Sequence, residues 1–453
     1  MNIIITLAGQ SKRFLDAGYL SPKFLLEING ETILENIPKM FSKSDMFYFV
    51  FNTNQMRDFI EIENIIKKSV QNYEIIGVKP HDYGPVYSAL QIENINKNDP
   101  VIVSYCDFIV DWDYNNFLSK IEDYEMGIPS FVGLHPSSYG ITKYAYSKIN
   151  TQNELIQLRE KESFTDNRIN EYANAGIYYF KNFNLFELFG RILLNEKPKA
   201  QKEAYVSLIS NLVISNNGRV LITAVRKFIC LGTPFDYEMY KFWEYFFIKK
   251  EFISNSKKLA EINLIPMAGE GSRFKKEGYN VLKPLIQIGK KSMFIKSSQT
   301  FPNAIKWIFI FKDSKKLKNS NLIQIIDETF TLNKIITINK TTSGQAATCL
   351  LAKQDLNLNK SLFIASCDYM TIYNERKWEN EINNKEIDVF IWTFKTKNII
   401  VKNHKAFAYC KIDEETGIVK QIIEKEIVSD SPENDHMVVG SFWFRRSNDF
   451  IQS

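Results

Sequence analysis

The sequence predicts an α/β protein containing two copies of one open-sheet domain, and three observations carry that prediction. Short apolar runs alternate with segments of helical spacing, the pattern of a sheet flanked by helices. A glycine-rich turn follows the first apolar run and recurs with the same neighbours in the second half. Residues 5–14 read Ile-Thr-Leu-Ala-Gly-Gln-Ser-Lys-Arg-Phe, and residues 265–274 read Ile-Pro-Met-Ala-Gly-Glu-Gly-Ser-Arg-Phe. Ala8 and Ala268, Gly9 and Gly269, Arg13 and Arg273, Gly18 and Gly278, and Lys23 and Lys283 each stand 260 positions apart. Finally, later landmarks keep their order. Residues 47–51 match 307–311, Gly84 matches Gly344, and Cys106 with Asp107 matches Cys367 with Asp368. Glu160 with Lys161 matches Glu424 with Lys425, and Gly176 matches Gly440. A repeat at this distance makes each half one structural unit.

The elements follow in order. Residues 2–8 form an apolar run suited to a parallel strand covered on both faces. The turn at 9–12 opens a helix. Residues 23–28 are expected to be extended, and Asn29-Gly30 marks a turn. Residues 31–41 have helical spacing, with Ile33, Leu34, Ile37 and Met40 on one side. A strand is expected at 46–52, a helix at 56–69 and a strand at 74–78. Gly84 then opens a helix carrying Val86, Ala89 and Leu90. The apolar strand at 100–104 ends beside Asp107. After Phe180 the first copy continues with a helix at 202–215, a strand at 220–225, a turn at 231–234 and a helix at 236–252. That helix bears Tyr240, Trp243, Phe246 and Phe247 at helical spacing, which suits core packing; membrane-surface docking helped by Lys249 and Lys250 is the alternative. Residues 254–258 are a linker. The expected domains are 1–255 and 261–453, the second lacking its closing elements and exposing apolar surface there.

A chain of 453 residues with 45% hydrophobic content can fill the cores of two domains. A net charge of +5 is too mild for a nucleic-acid binder, but suits small anionic substrates. The five cysteines have no metal-ligand spacing and suggest a reducing cytoplasm. No apolar run reaches the roughly 18 residues of a membrane helix, so no membrane insertion is expected. An oligomer is compatible with the sequence.

The chemistry begins at the glycine turn. Backbone N–H groups at a strand end that open a helix point outward and cradle phosphate oxygens. Arg13 and Arg273 add forked cations, and Lys23 and Lys283 add point charges. Asp107 and Asp368, at strand carboxyl ends, face the crevice where α/β sheets bind ligands. A hard carboxylate there suits Mg²⁺ bridged to phosphates; the plain alternative is a helix cap. Glu160-Lys161 and Glu424-Lys425 could hold a second phosphate and sugar hydroxyls, or could be solvated charge runs raised only by their recurrence.

At these residues the chain resembles the sugar nucleotidyltransferases, also called nucleotide-sugar pyrophosphorylases. The shared features are the Ala-Gly-x-Gly-x-Arg-Phe loop, the following lysine beside proline and leucine, a mid-domain glycine, a strand-end aspartate, the Glu-Lys pair and a glycine-led strand. The resemblance implies tandem Rossmann-like three-layer α/β/α domains with mostly parallel mixed sheets. The implied reaction joins an NTP to a phosphorylated small molecule and releases pyrophosphate. Ala8, Gly9, Arg13, Ala268, Gly269, Gly271 and Arg273 would then hold nucleotide phosphates. Lys23 and Lys283 would steady the reacting phosphates, and Gly84, Gly344 and Gln345 would face the base. Asp107 and Asp368 would bind Mg²⁺. Glu160, Lys161, Gly176, Glu424, Lys425 and Gly440 would line the sugar-phosphate end. Two copies imply, by analogy, a bifunctional enzyme for precursors of surface polysaccharide.

Two departures bear on the first copy. Ser11 stands where the second has Gly271, and Cys230 stands where the family usually carries a second metal aspartate. Cysteine is a poor Mg²⁺ ligand. One rival reading is therefore that one half is a non-catalytic nucleotide-binding module. Another is a glycosyltransferase, suggested by the Asp-x-Asp pattern of Asp111 and Asp113. The four histidines do not match across the repeat and receive no role.

Overall fold

The computed structural model describes all residues except 134, 136–137, 139–143, 196–202, 249–259, 277, 397–400 and 402, and the side chains of 246–248. The chain divides into two compact units, Met1–Tyr245 and Phe246–Ser453. It is an α/β protein with one large mixed sheet in each unit.

The first unit's strands are β1 (Asn2–Thr6), β2 (Met46–Asn52), β3 (Tyr73–Val78), β4 (Val101–Tyr105), β5 (Phe108–Asp111), β6 (Met126–Phe131), β7 (Ala145–Ile149), β8 (Leu155–Glu160), β9 (Tyr172–Asn174), β10 (Ile177–Phe180), β11 (Val220–Ala224) and β12 (Lys227–Cys230). Ten of them make a sheet in the order β8-β7-β9-β6-β10-β4-β1-β2-β3, with β11 on β6. The parallel part is β4-β1-β2-β3 together with β11 on β6; the other pairings are antiparallel. In β1, Ile3 and Ile5 enter one core cluster and Ile4 the other. Such alternation, all three side chains being fully buried, places apolar layers on both faces of the sheet. Each buried aliphatic side chain contributes roughly 1.5–3 kcal/mol.

The second unit's strands are β13 (Ala260–Met267), β14 (Ala304–Lys312), β15 (Asn333–Ile338), β16 (Leu362–Ile364), β17 (Val389–Phe394), β18 (Ala408–Ile412), β19 (Val419–Glu424) and β20 (His436–Phe444). Their order is β15-β14-β13-β16-β20-β18-β19, with β17 on β20. The run β15-β14-β13-β16-β20 repeats β3-β2-β1-β4-β10 strand for strand, including the antiparallel last member. β6 is buried along its whole length, between β10, β9 and β11. β17 pairs only with β20 among the described residues, and Val389 in it is 40% exposed.

Several local expectations are corrected. Lys23–Leu25 is a 3-10 turn and only Glu27–Ile28 is extended, pairing with Glu31–Thr32 across the Asn29-Gly30 turn. The segment 31–41 is an α-helical turn at Ile33–Asn36, opened by a capping box between Thr32 and Glu35. It tightens to 3-10 at Ile37–Met40, where Pro38 cannot donate an N–H. The helix expected at 56–69 is two helices, Thr53–Asp58 and Glu61–Ser69, separated at Phe59, whose backbone is not helical. Helix Phe183–Asn195 and the antiparallel strands β6 to β9 escaped the sequence reading. The helix expected at 202–215 is described as a 3-10 turn at Val206–Leu208 and a helix at Ile209–Ser215; residue 202 lies outside the described residues. The last helix of the unit is Pro234–Ile248, with proline at its first position, where no N–H is needed. Tyr237 and Tyr240 pack on the first core, while Trp243 is 43% exposed. The side chains of Phe246 and Phe247, together with Lys249, Lys250 and the 254–258 linker, lie outside the described residues. Among the described residues, no helix is long and apolar enough to cross a membrane.

Candidate active site

Each glycine loop starts where a central strand ends. After β1 the chain passes Ala8 and Gly9 and opens the short helix Lys12–Asp16; after β13 it passes Ala268 and Gly269 and opens Ser272–Lys276. The residue before each helix is left-handed: Ser11 has φ 52° and Gly271 has φ 60°. Glycine adopts that shape freely, whereas serine holds it at a cost. A Cβ on Gly271 would come within 3.3 Å of Lys283 Cβ. In the first half, the Ser11 hydroxyl oxygen instead accepts the Lys23 N–H at 3.3 Å. The loop then closes on itself in the same way twice. Tyr19 N–H donates to Phe14 O and Tyr279 N–H to Phe274 O, both at 3.0 Å. The two aromatic rings pack edge-on with centroids 5.3 Å apart in the first half and 5.5 Å in the second.

This closure returns the lysine to the strand end. Lys23 Nζ donates to Asp107 Oδ2 at 2.8 Å, and Lys283 Nζ donates to Asp368 Oδ2. Both pairs are half-buried. Burial opposes the Lys23 charge, but the Asp107 carboxylate more than offsets this and raises the lysine above its usual range. Burial likewise opposes the Asp368 charge, and hydrogen bonds from Lys283 and from the Ser366 hydroxyl, the latter at 2.6 Å, hold its carboxyl below the usual range. Arg13 and Arg273 are exposed on the first turn of their helices, so the lysine–aspartate pair is closed while the arginines point to solvent.

Gly84 and Gly344 each precede a helix, Pro85–Ala89 and Gln345–Leu350. Gly344 and Gln345 are exposed. Beside Gly84, sequence reasoning missed a cluster of His81, Tyr83 and Tyr87, with the His81 and Tyr87 rings 4.6 Å apart and His81 Nε2 3.0 Å from the Ser88 hydroxyl. His81 has no matching residue in the repeat, which is why the comparison of halves passed over it.

The Glu-Lys pairs diverge. Lys161 and Lys425 share a left-handed backbone, at φ 57° and 62°. Their N–H groups donate to Tyr144 O and Phe407 O at 3.0 and 2.9 Å. In the first half, Glu160 bonds the Ser207 hydroxyl, and burial pushes its carboxyl above the usual range. Lys161 Nζ donates to Tyr205 OH at 2.6 Å. In the second half, Glu424 and Lys425 pair with each other at 3.0 Å with both side chains more than 70% exposed, as a solvated charge run would. Tyr205 and Ser207, more than 40 residues from the pair in sequence, carry no signal of their own. Gly176 lies against the end of β4, where Tyr105 N–H donates to its carbonyl at 3.0 Å, and Gly440 occupies the matching place in β20.

The structure brings Cys230 beside Asp107. A Cβ on Gly232 would lie 3.1 Å from Asp107 Oδ2 and 3.8 Å from Cys230 Sγ. Burial, then the charge of Asp236, pushes the Cys230 thiol up to about 12, so it is neutral at physiological pH. The Asp-x-Asp pattern has another use. Asp111 pairs with Arg226 at 2.7 Å, and Asp113 caps helix Tyr114–Ile121. Both carboxylates are accounted for without a nucleotide-sugar metal.

Each half thus has a glycine loop at the end of a central strand and a lysine–aspartate pair that joins the segment after the loop to a neighbouring strand end. Residues 3–213 match the Nucleotidyl transferase family, so the first half carries a domain of that family. The second sheet lies outside that match. Over 246 residues the chain is 25% identical to the bifunctional protein GlmU of one Methanococcus maripaludis strain, covering 54% of this chain and 50% of that protein. A GlmU from a second strain of the species is 28% identical over 218 residues, 47% of each chain. The chain thus spans about half the length of these curated relatives. A nucleoside-diphosphate-sugar pyrophosphorylase from Vibrio cholerae is similar in structure, with a TM-score of 0.45 and 19% identity over 52% of this chain and 98% of that one.

Proposed function

We propose that the chain is a tandem nucleotidyltransferase that joins an NTP to a sugar phosphate, or a similar phosphorylated small molecule, and releases pyrophosphate. The single observation that supports this reading best is the recurrence of one geometry: Lys23 on Asp107 and Lys283 on Asp368, each beside a glycine loop. The acceptor's phosphate oxygen attacks the α-phosphorus in line, a P–O bond forms, and the bond to pyrophosphate breaks. Two anions must approach, so cations have to offset their repulsion and fix the geometry. Lys23 and Lys283 hold the reacting phosphates. Arg13 and Arg273, exposed on the first helical turn, would swing in to meet the bound phosphates. The backbone at Ala8, Gly9, Ala268, Gly269 and Gly271 cradles phosphate oxygens, while Gly84, Gly344 and Gln345 face the base.

The strand-end carboxylates fit Mg²⁺. Asp368 accepts one hydrogen bond on each oxygen, and a carboxylate offers about four acceptor positions, which leaves room for a cation largely coordinated by water and phosphate. When bound at Asp107 and Asp368, that ion supplies charge neutralisation at the phosphates. Glu160, Lys161 and Gly176, with Glu424, Lys425 and Gly440 in the second half, line the acceptor end. The five free cysteines suit a reducing cytoplasm. Precursors of surface polysaccharide are the product class we infer, on the family resemblance alone.

A second reading has its own observation. The neutral Cys230 thiol beside Asp107 and the serine at φ 52° favour a first half that binds nucleotide and turns over slowly. One experiment addresses both readings: the full chain is incubated with each NTP, Mg²⁺ and a panel of phosphorylated acceptors, and pyrophosphate is measured. The expected result is release that needs both an NTP and an acceptor. No release with any pair would contradict the proposal. Loss of release on Asp368→Asn but not on Asp107→Asn would select the second reading.

A further inference from the structure

The second sheet leaves open a place that the first sheet closes. In the first half, β6 lies against β10 with Met126 opposite Phe180. Its other edge carries β11 in parallel, with Val220 opposite Met126 and Ala224 opposite Ser130. In the second half, β17 takes the place of β6: Val389 lies opposite Phe444, 264 positions after Phe180. Among the described residues, no strand pairs with the other edge of β17. Burial shows the consequence. β6 is buried at all six positions, whereas every residue of β17 is at least partly exposed. The surface beside the edge is apolar as well. In the first half, β11 is bridged at Leu221 to Glu154, next to the buried Leu155. The positions 264 later are Ile418 and Val419, which are 65% and 37% exposed.

An open edge offers its N–H and C=O groups to any other strand, and soluble proteins guard such edges with lysine or proline. β17 has neither. It reads Val-Phe-Ile-Trp-Thr-Phe, six uncharged residues, most of high strand propensity. Its charges stand at the two ends and differ in sign, Asp388 before the strand and Lys395 after it. Both side chains reach solvent and are held loosely within the chain: Asp388 is 3.7 Å from Arg446, and Lys395 is 4.0 Å from Glu414. A strand with this pattern is its own complement. Laid antiparallel on a second copy, it brings Asp388 towards the partner's Lys395 at both ends, whereas a parallel arrangement brings like charges together.

We propose that β17 is the contact strand of a homodimer, in which the second-half sheets of two copies join edge to edge, antiparallel, about a two-fold axis. Such a contact is self-complementary, as a two-fold interface must be. It satisfies the open backbone groups of both copies at once and takes the exposed apolar atoms of β17, with Ile418 and Val419 beside them, out of water. Nothing in this contact depends on nucleotidyl transfer, so it stands or falls apart from that reading.

The test is sedimentation velocity of the full chain over a range of concentrations. The wild type is expected to dimerise. Asp388→Lys leaves a cation at both ends of the strand, and Lys395→Asp leaves an anion at both. Each is expected to weaken the dimer by about ten-fold or more, because two attractive contacts become repulsive. Mixed one to one, the two variants are expected to form a heterodimer, and the double variant Asp388→Lys, Lys395→Asp is expected to regain wild-type association. A merely structural role for either side chain would give no such rescue. Hydrogen exchange supplies a second readout: the β17 amides that do not bond β20 are expected to exchange more slowly in the dimer than in the diluted monomer. A wild type that stays monomeric at every concentration, a dimer indifferent to the charge reversals, or no rescue on mixing would overturn the proposal.

Discussion

The full chain carrying both Lys23→Ala and Lys283→Ala is expected to lose about 10²–10³-fold in the rate of pyrophosphate release while its affinity for NTP changes by less than about ten-fold. Each lysine sits at one point of its loop, fixed by the 3-10 turn that carries it and by the carboxylate it touches. The backbone cradle and the arginine remain when it is removed, so ground-state binding persists. On the proposed reading, what disappears is the cation placed where charge would build up as pyrophosphate leaves. Rapid-quench turnover and equilibrium NTP binding, measured side by side, give the two numbers. Equal losses in both would reduce the lysines to general phosphate binders.

The second large effect concerns the mid-domain glycines, which matched perfectly as letters and differ as structure. Gly84 has φ 93° and ψ 178°, a region open to little but glycine, and a Cβ there would meet the backbone N of Ala204 at 2.6 Å and its O at 2.8 Å. Gly344 is extended at φ 177°, with nothing within 4 Å of an added Cβ. Gly84→Ala is therefore expected to cost about 2–5 kcal/mol from conformational strain and overpacking together. Gly344→Ala is expected to stay within about 1 kcal/mol. Hydrogen exchange reads the difference locally. The Ala204 amide donates to Tyr83 O at 2.9 Å and should exchange faster in Gly84→Ala. Unchanged protection there, with unchanged melting, would contradict the close packing of the two segments.

Much of this architecture was legible because it is local or repeated. The apolar run at 46–52 is strand β2 residue for residue, since seven residues with one polar member leave no other economical arrangement. That Lys23, Asp107, Lys283 and Asp368 are candidates was legible because two halves with the same spacing act as each other's control; that each lysine rests on its aspartate was not. Other features were hidden for physical reasons. The antiparallel strands β6 to β9 depend on pairings between distant segments, which periodicity does not report. The split at Phe59 is a backbone choice that a continuous helical pattern conceals. Repetition could also mislead: Glu160-Lys161 and Glu424-Lys425 keep one backbone shape, yet only the first pair finds Ser207 and Tyr205. Burial and partners, not spacing, separate an organised carboxylate from a solvated one.

The whole account depends on the strand-end carboxylates, so the most direct measurement is pyrophosphate release by the full chain with Asp107→Asn and Asp368→Asn combined. Asparagine keeps the shape and removes the charge that would hold the metal and the lysine. The account predicts release at least about 100-fold below the wild type with an unchanged circular dichroism spectrum. Release close to the wild-type rate by that folded double variant would contradict it.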